Sequence, residues 1–419
     1  MYRVTSLFRW TAFALIILLL IALAWWYFFL RAREASLAAA DAGRGRAGSA
    51  PTFSGSTGST YSNVAQSFAG ETGGGGQVAG TPPRLWEVSA APSAGMGFTG
   101  SGASTRLRFV ERSSGYVLEA DPATGSLVRL TNTLVPRVYE ALIAPDGNVI
   151  ERTVDDAGAA TTLYGVVTPA PAASSSPDTL VITQLPGGIR SVVFSGTGRQ
   201  VAYIAPGGNG GTVLMRAELG GTSAQGGKLT QLLSSGMAGW RLAWLRDGRI
   251  ILAQAASDGV LGYAYTVEAG GALTPLARAA LGLTVLAQAS SSALVFGQTN
   301  EGSLLLFGQV DQKSTPVPLP IRTVADKCVW GPGKSLVAYC AVPRQAPGPG
   351  YLDRWYRGEV HTADAWWQVD VSAGSATALA APDANTPLDV ENPMMDADGN
   401  YIAFLNAADK SLWLLRVAQ

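Results

Sequence analysis

One short pattern recurs along most of the 419-residue chain: an apolar run ends in a tight turn, usually at glycine, and a second apolar run follows at once. Apolar runs joined by such turns are typical of β-hairpins. The pattern occurs in YEALIAPDGNVIER (139–152), RSVVFSGTGRQVAYI (190–204), RLAWLRDGRIILAQ (241–254), KCVWGPGKSLVAYC (327–340) and NPMMDADGNYIAFL (392–405), and without the glycine in VLAQASSSALVFGQ (285–298).

Each hairpin is followed by a third strand and often a fourth, as in GYVLEADPATGSLVRLT (115–131). Four-stranded units repeating every 40 to 65 residues or so have the period of propeller blades. The count predicts an all-β, seven-bladed β-propeller, with six or eight blades as alternatives because the first unit is irregular. The predicted blades are 94–133, 138–188, 189–235, 239–281, 283–323, 325–384 and a last one from 387.

The last predicted blade is one strand short. RLWEVSA (84–90) reads as a strand just before the first blade and has no partner there. We expect this strand to complete the seventh blade and close the ring, because closure removes two unpaired sheet edges at once.

The hairpins resemble the repeats of TolB-type and WD40-like propellers, which often carry Asp-Gly at the turn. Asp146–Gly147, Asp247–Gly248 and Asp398–Gly399 keep that dipeptide, and the other hairpins depart from it. VRLTNTLVPRVYEAL and WYRGEVHTADAWWQVDV also resemble segments of uncharacterised membrane-anchored propeller proteins predicted from small-genome bacteria. The resemblance implies a propeller over 84–419 and implies no particular function.

Before the propeller, the run from Trp10 to Leu30 contains no charged residue and is long enough to cross a hydrocarbon core of about 30 Å. It predicts one transmembrane helix at 10–30 that attaches the protein to the cell membrane, with 31–83 as a flexible linker rich in Gly, Ser and Ala. Arg3 and Arg9 favour a cytoplasmic segment at 1–9 and an extracytoplasmic propeller. The alternatives are a cleaved signal peptide and a reversed, cytoplasmic-facing propeller that acts as an assembly adaptor.

Composition excludes several classes of function. With 47% hydrophobic and 14% charged residues the chain can build a sizeable core, and its net charge of zero gives no reason to expect nucleic acid as a partner. A single histidine and two cysteines leave too few ligands for the usual metal sites. We find no nucleophile elbow, phosphate-binding loop or dinucleotide motif. We therefore expect no catalytic residues, metal or cofactor.

One predicted loop, 343–365, combines Trp, Tyr and Arg, the residues that dominate binding hot spots. Loops of this kind, between the second and third strands of a blade, lie on the face of a propeller that usually binds ligands. The candidate binding residues are Tyr351, Asp353, Arg354, Trp355, Tyr356 and Arg357, with His361 and Asp364 nearby. The alternative interpretation is that Trp355 and Tyr356 pack onto their own blade and bind nothing.

Alignment of the innermost strands brings polar residues to equivalent positions near their starts. These positions should surround the top of the central channel, where converging polar groups could bind a small polar ligand, although propeller channels are polar in any case. The aligned residues are Glu140, Ser191, Arg241, Lys327 and Asn392.

Cys328 and Cys340 should lie opposite each other across the hairpin turn near Gly331, within disulfide range. Either a disulfide or two buried thiols would fit this placement.

The leading functional hypothesis is a non-enzymatic binding or scaffold module, tethered to the membrane, for an envelope protein or polysaccharide. The alternative is a carboxylate-dependent glycan hydrolase or lyase that uses Asp353, Asp364 or Glu140.

Overall fold

The computed structural model describes residues 82–170, 178–220, 227–268, 270–383 and 385–417. Within these ranges, 28 strands form seven four-stranded antiparallel sheets. The predicted all-β, seven-bladed propeller is therefore confirmed. Three 3-10 turns (Gly102–Ser104, Gly208–Gly210 and Ala325–Lys327) and one short helix, α1 (Tyr351–Tyr356), accompany the strands.

The strands follow one another in the order expected of a propeller. They are β1 (Leu85–Ser89), β2 (Ser93–Thr99), β3 (Arg106–Glu111), β4 (Val117–Ala120), β5 (Leu127–Arg129), β6 (Val138–Ile143), β7 (Val149–Val154), β8 (Ala160–Thr168), β9 (Thr179–Gln184), β10 (Ser191–Phe194), β11 (Gln200–Pro206), β12 (Thr212–Glu218), β13 (Leu229–Ser235), β14 (Trp240–Trp244), β15 (Ile250–Gln254), β16 (Leu261–Val267), β17 (Leu273–Leu281), β18 (Thr284–Ala287), β19 (Leu294–Asn300), β20 (Ser303–Gln309), β21 (Val317–Pro318), β22 (Cys328–Trp330), β23 (Val337–Pro343), β24 (Asp364–Asp370), β25 (Ser375–Ala380), β26 (Val390–Met395), β27 (Tyr401–Asn406) and β28 (Leu412–Arg416).

Six blades are formed by four consecutive strands each. Blade 1 is β2–β5, and blades 2 to 6 continue in the same way to β22–β25. Each blade begins with its innermost strand, and first strands of neighbouring blades contact one another, as β2 does with β6 and β10 with β14. The repeated hairpins of the sequence form the first two strands of blades 2 to 7.

Blade 7 is shared between distant parts of the chain. Its order is β26, β27, β28 and then β1, with Leu85 opposite Leu415 and Trp86 opposite Leu414 in antiparallel register. The predicted closure by the segment 84–90 is confirmed. Trp86 and its strand neighbour Val88 are buried in the apolar cluster between blades 7 and 1.

Apolar side chains fill the spaces between neighbouring blades. Each of the seven blade-to-blade interfaces described here contains one buried cluster, built from both sheets that face it. Between blades 5 and 6, for example, Val295 and Leu306 pack with Ala338, Cys340 and Val369, all of them almost fully buried. A blade buried on both faces explains the continuous apolar runs in the sequence.

The Asp146–Gly147 turn shows why the hairpins use this dipeptide. The Asp146 carboxylate accepts a hydrogen bond from the Asn148 amide at 3.1 Å, and Gly147 has φ of 86°, a conformation that glycine adopts without strain. A Cβ at Gly147 would also lie 2.0 Å from Nη1 of Arg108, which donates to the Gly147 carbonyl at 3.0 Å. The turn thus connects blade 2 to blade 1.

The predicted membrane helix at 10–30 and most of the predicted linker at 31–83 lie outside the described residues. In the described part of the chain, no helix combines the length and the apolar character that crossing a membrane requires.

Glu151 on β7 is an acidic side chain inside the propeller. It is 1% exposed, and neither carboxylate oxygen has a hydrogen-bond partner among the described residues. Burial raises the pKa of Glu151 to about 8. The carboxyl group is therefore neutral in the folded protein at neutral pH, whereas it is ionised in the unfolded chain.

This difference predicts a pH-dependent loss of stability. The contribution of Glu151 is fully present below its unfolded pKa of about 4.3 and is lost as pH rises toward 8, by roughly 1.4 kcal/mol per pH unit. The measured quantity is the unfolding free energy of the wild type minus that of Glu151→Gln. We expect this difference to fall by about 1.4 kcal/mol per pH unit between pH 5 and 8 and to stay constant above pH 8. Urea titrations at these pH values measure it, and a pH-independent difference would contradict the buried neutral carboxyl.

Candidate functional site

A cavity of about 640 Å³ lies at the mouth of the central channel, on the face that carries the loops between second and third strands. The innermost strands of blades 1 to 4 and of blade 7 line it, and residues from the segment between β23 and β24, at 344–363, cover another side. The charged side chains that line it are Arg112, Glu140, Arg152, Arg190, Arg241, Asp326, Glu391 and Lys410.

Most of the predicted ring lies where the alignment placed it. Glu140, Ser191, Arg241 and Asn392 all line this cavity. Lys327 differs: it is completely buried and does not line the cavity. The 3-10 turn at Ala325–Lys327 comes directly before β22, so the lysine is not at the strand position assumed by the alignment.

Lys327 lies at the centre of a buried polar network. Its ammonium group donates to the Asp364 carboxylate and to the Thr362 hydroxyl, each at 2.7 Å, and to Asp389. Both carboxylates are at most 1% exposed. Burial alone would lower the pKa of Lys327, but the neighbouring Asp364 and Asp389 raise it above its ordinary value. The lysine is therefore charged and paired.

Asp389 connects this network to the loop. Its carboxylate oxygens accept the indole N–H of Trp355, both at 3.0 Å, and one of them lies 3.0 Å from Nδ1 of His361. Burial favours the neutral acid, but the attraction of Lys327 outweighs it and lowers the pKa of Asp389. A buried anion supplied by blade 7 thus fixes two side chains of the loop, including the partly exposed His361 at the cavity wall.

Hydrogen bonds also attach helix α1 to blade 4. The Asp353 carboxylate accepts hydrogen bonds from the Ser257 hydroxyl and the Asp258 amide, both at 3.2 Å. In return, the Asp258 carboxylate accepts the Leu352 amide at 2.9 Å. Because Ser257 and Asp258 lie between β15 and β16, the loop of blade 6 reaches across blade 5.

Tyr356 brings the end of the helix to the cavity wall. Its hydroxyl donates to Asp326 at 2.6 Å, and Arg241 lies 4.3 Å above its ring while pairing with the same carboxylate at 3.2 Å. Burial, followed by the Asp326 charge, raises the pKa of Tyr356 well above its usual value. The phenol is therefore a neutral hydrogen-bond donor.

The aromatic residues of the loop are largely buried. Tyr351 and Trp355 stack with ring centroids 6.3 Å apart and pack with Leu352 on Ala256 and Leu304 of blades 4 and 5. Burial raises the pKa of Tyr351 to about 12. Trp355 and Tyr356 both line the cavity, so the loop packs down, mainly on neighbouring blades, and still contributes to the cavity wall.

The two arginines of the helix region point elsewhere. Arg357 pairs with Glu359 at 2.6 Å, and Arg354 lies 4.0 Å from the same carboxylate. All three side chains are about half exposed, and neither arginine lines the cavity. Of the predicted loop residues, Tyr351, Asp353, Arg354 and Arg357 thus lie outside the cavity wall.

Several lining residues were missed by the sequence analysis. Tyr139, Trp240 and Glu391 lie beside the aligned ring positions, and Arg112 and Lys410 come from loops between second and third strands. Because those two loops lie on the face that usually binds ligands, the sequence could have predicted Arg112 and Lys410 as candidates.

Cys328 and Cys340 are paired across β22 and β23, with their Cα atoms 4.1 Å apart and their sulfur atoms joined in a disulfide. The pair lies in the apolar cluster between blades 5 and 6. Among the described residues, no group of three or more His, Cys, Asp or Glu side chains is arranged to hold a metal ion.

Comparisons with known proteins show the fold alone. No family model and no curated protein matches the sequence. A hydrazine synthase structure from Kuenenia stuttgartiensis is 11% identical, with a TM-score of 0.50 over 82% of this chain and 99% of that chain. The tricorn protease is also 11% identical, with a TM-score of 0.47. The match covers 82% of this chain and only 35% of the protease. The seven-bladed ring agrees with the resemblance to TolB-type and WD40-like repeats.

The Lys327 network predicts that removal of the lysine charge greatly lowers the free energy of unfolding. Lys327→Met would leave two buried carboxylates without their counter-charge, and we expect unfolding to become easier by about 3–5 kcal/mol. Lys334→Met is the matched control, because Lys334 is exposed on the hairpin of the same blade and should change stability by less than about 0.5 kcal/mol. Urea unfolding measures both, and equal small effects would contradict the network's role.

Proposed function

We propose that this protein is a non-enzymatic binding or scaffold module that takes its ligand or partner at the channel-mouth cavity. The observation that carries this proposal is the construction of the wall. Helix α1 is held by hydrogen bonds to blade 4 and by the buried charges of blades 6 and 7, so the cavity is formed before any ligand arrives. A preformed concave site with converging polar groups is the usual form of a ligand site.

The carboxylates proposed for glycan hydrolysis are already engaged. Asp364 is buried against Lys327, and Asp353 accepts the hydrogen bonds that fix the helix. Glu140 does line the cavity, but it is paired with Arg152. Glycoside hydrolysis needs two accessible carboxyl groups, one of which can deliver a proton. These pairings favour binding over catalysis.

We further propose that the propeller is displayed outside the cytoplasmic membrane, where it serves an envelope protein or polysaccharide. The uncharged run at 10–30 supports an anchor, and the arginines before it support this orientation. The disulfide between Cys328 and Cys340 adds support, because disulfides persist mainly in oxidising compartments.

Site-specific photocrosslinking in cells tests the proposal. A photoreactive residue at Arg357, exposed on the loop face, should capture a defined protein or glycan. The matched position is Lys334, which is exposed on the opposite face of the same blade. We expect capture from Arg357 only. The same species from both positions, or none from Arg357, would contradict a binding role for the loop face.

A further inference from the structure

The acidic side chains of the cavity wall all have basic partners. Glu140 pairs with Arg152, Asp326 with Arg241 at 3.2 Å, and Glu391 with Lys410. The acids of the wall are thus neutralised from within the wall itself.

Two basic side chains of the same wall are left over. Arg112, half-buried between β3 and β4, and Arg190, exposed directly before β10, have neither an ion pair nor a side-chain hydrogen bond within the described ranges. The wall of the cavity therefore carries an excess of positive charge although the whole chain has a net charge of zero.

The same wall also contains buried donors without acceptors. Three residues of the wall, each at least nine-tenths buried, have a polar atom with no partner in the described part of the chain: Ser93 Oγ, Arg152 Nε and Trp240 Nε1. The arginine and indole nitrogens can only donate, and the hydroxyl can donate as well. Buried donors are normally satisfied, so the wall lacks acceptors.

Four of the five residues with unused donors lie on blades 1 to 3, and the fifth, Trp240, begins blade 4. Ser93 and Arg112 belong to blade 1, Arg152 to blade 2, and Arg190 precedes the first strand of blade 3. Two hydrogen bonds bring them together in pairs, because the Arg112 amide donates to the carbonyl of Pro92, and Arg152 Nη2 donates to the carbonyl of Ile189, each at 2.8 Å. Both pairs line the same cavity. We call Ser93, Arg112, Arg152 and Arg190 the basic sector of the cavity.

We propose that the basic sector binds a ligand through a carboxylate or phosphate group. A carboxylate or phosphate group supplies several acceptors and carries the negative charge that Arg112 and Arg190 need as a partner. Guanidinium groups match its geometry with paired N–H donors. The acidic group can belong to a small free anion or to an acidic glycan. This proposal rests on the proposed function, because it takes the cavity to be the binding site. It adds that the cavity selects ligands with an acidic group.

Isothermal titration of the purified full-length protein, at constant ionic strength, tests the proposal. The probes are inorganic phosphate, tri-galacturonate and the neutral methyl ester of that trimer. We expect at least one acidic probe to bind, and the ester to bind at least tenfold more weakly than the acid if the trimer is the better ligand. Binding of phosphate alone identifies a free anion, and binding of tri-galacturonate alone identifies an acidic glycan.

Matched variants assign the binding to the basic sector. Arg112→Gln combined with Arg190→Gln should weaken binding of the acidic probe at least tenfold. Arg199→Gln, an exposed arginine of blade 3 in the hairpin turn on the opposite face, should change it less than twofold. Neither arginine of the pair has a side-chain hydrogen bond to lose, so thermal melting should show the double variant folded.

Three results would overturn the inference: no binding of either acidic probe, binding of the neutral ester as tight as that of the best acidic probe, or equal weakening by Arg199→Gln. Preferential capture from Arg357 in the crosslinking experiment, together with any of these results, would leave the loop face as a binding surface and reject only the acid-binding role of the cavity.

Discussion

The structure depends on the pairing of two strands from opposite ends of the propeller. β1 adds to β28 and completes a sheet that the C-terminal part of the chain cannot finish alone. Without it, β28 would expose an unpaired edge, and the cluster between blades 7 and 1 would lose Trp86 and Val88. Because the innermost strands of blades 7 and 1 both line the cavity, this pairing also maintains the spacing of the residues at the channel mouth.

A second, local constraint shapes the candidate site. In the ion network of Lys327, Asp364 and Asp389, charged side chains from three separate segments pair with one another away from solvent. Such a network is weak evidence of stability in itself, because burying charges is costly. Its consequence is positional: Asp389 holds Trp355 and His361, and these line the same cavity as the basic sector. Apolar contacts alone are not directional and would fix the positions of these two side chains less strictly.

The sequence predicted the fold well because the relevant signals are local. Apolar runs and glycine turns identify hairpins within 15 residues or so, and the missing strand of the last blade could be matched to the unpaired strand at 84–90. Glu140, Ser191, Arg241 and Asn392 were found for the same reason, since equivalent strand positions converge at the channel.

The site was only partly predictable because its contacts are not local. Lys327 reads as a channel lysine until Asp364 and Asp389, 37 and 62 residues away, are seen to enclose it. Arg112 and Arg190 carry no motif, and what distinguishes them is that their acidic neighbours are already paired. That property exists only in three dimensions. The membrane segment at 10–30 stays a prediction from composition.

The most direct measurement concerns the closure. Cysteines in place of Glu87 and Trp413, which are partners across β1 and β28, would join the two ends of the ring when oxidised. The long loop so closed should raise the free energy of unfolding by roughly 6 kcal/mol, against roughly 3 for a crosslink between Arg216 and Thr230 on the paired strands β12 and β13 of blade 3. Urea unfolding of the oxidised variants measures both. Stabilisation by the hairpin crosslink but not by the ring crosslink would contradict closure by β1.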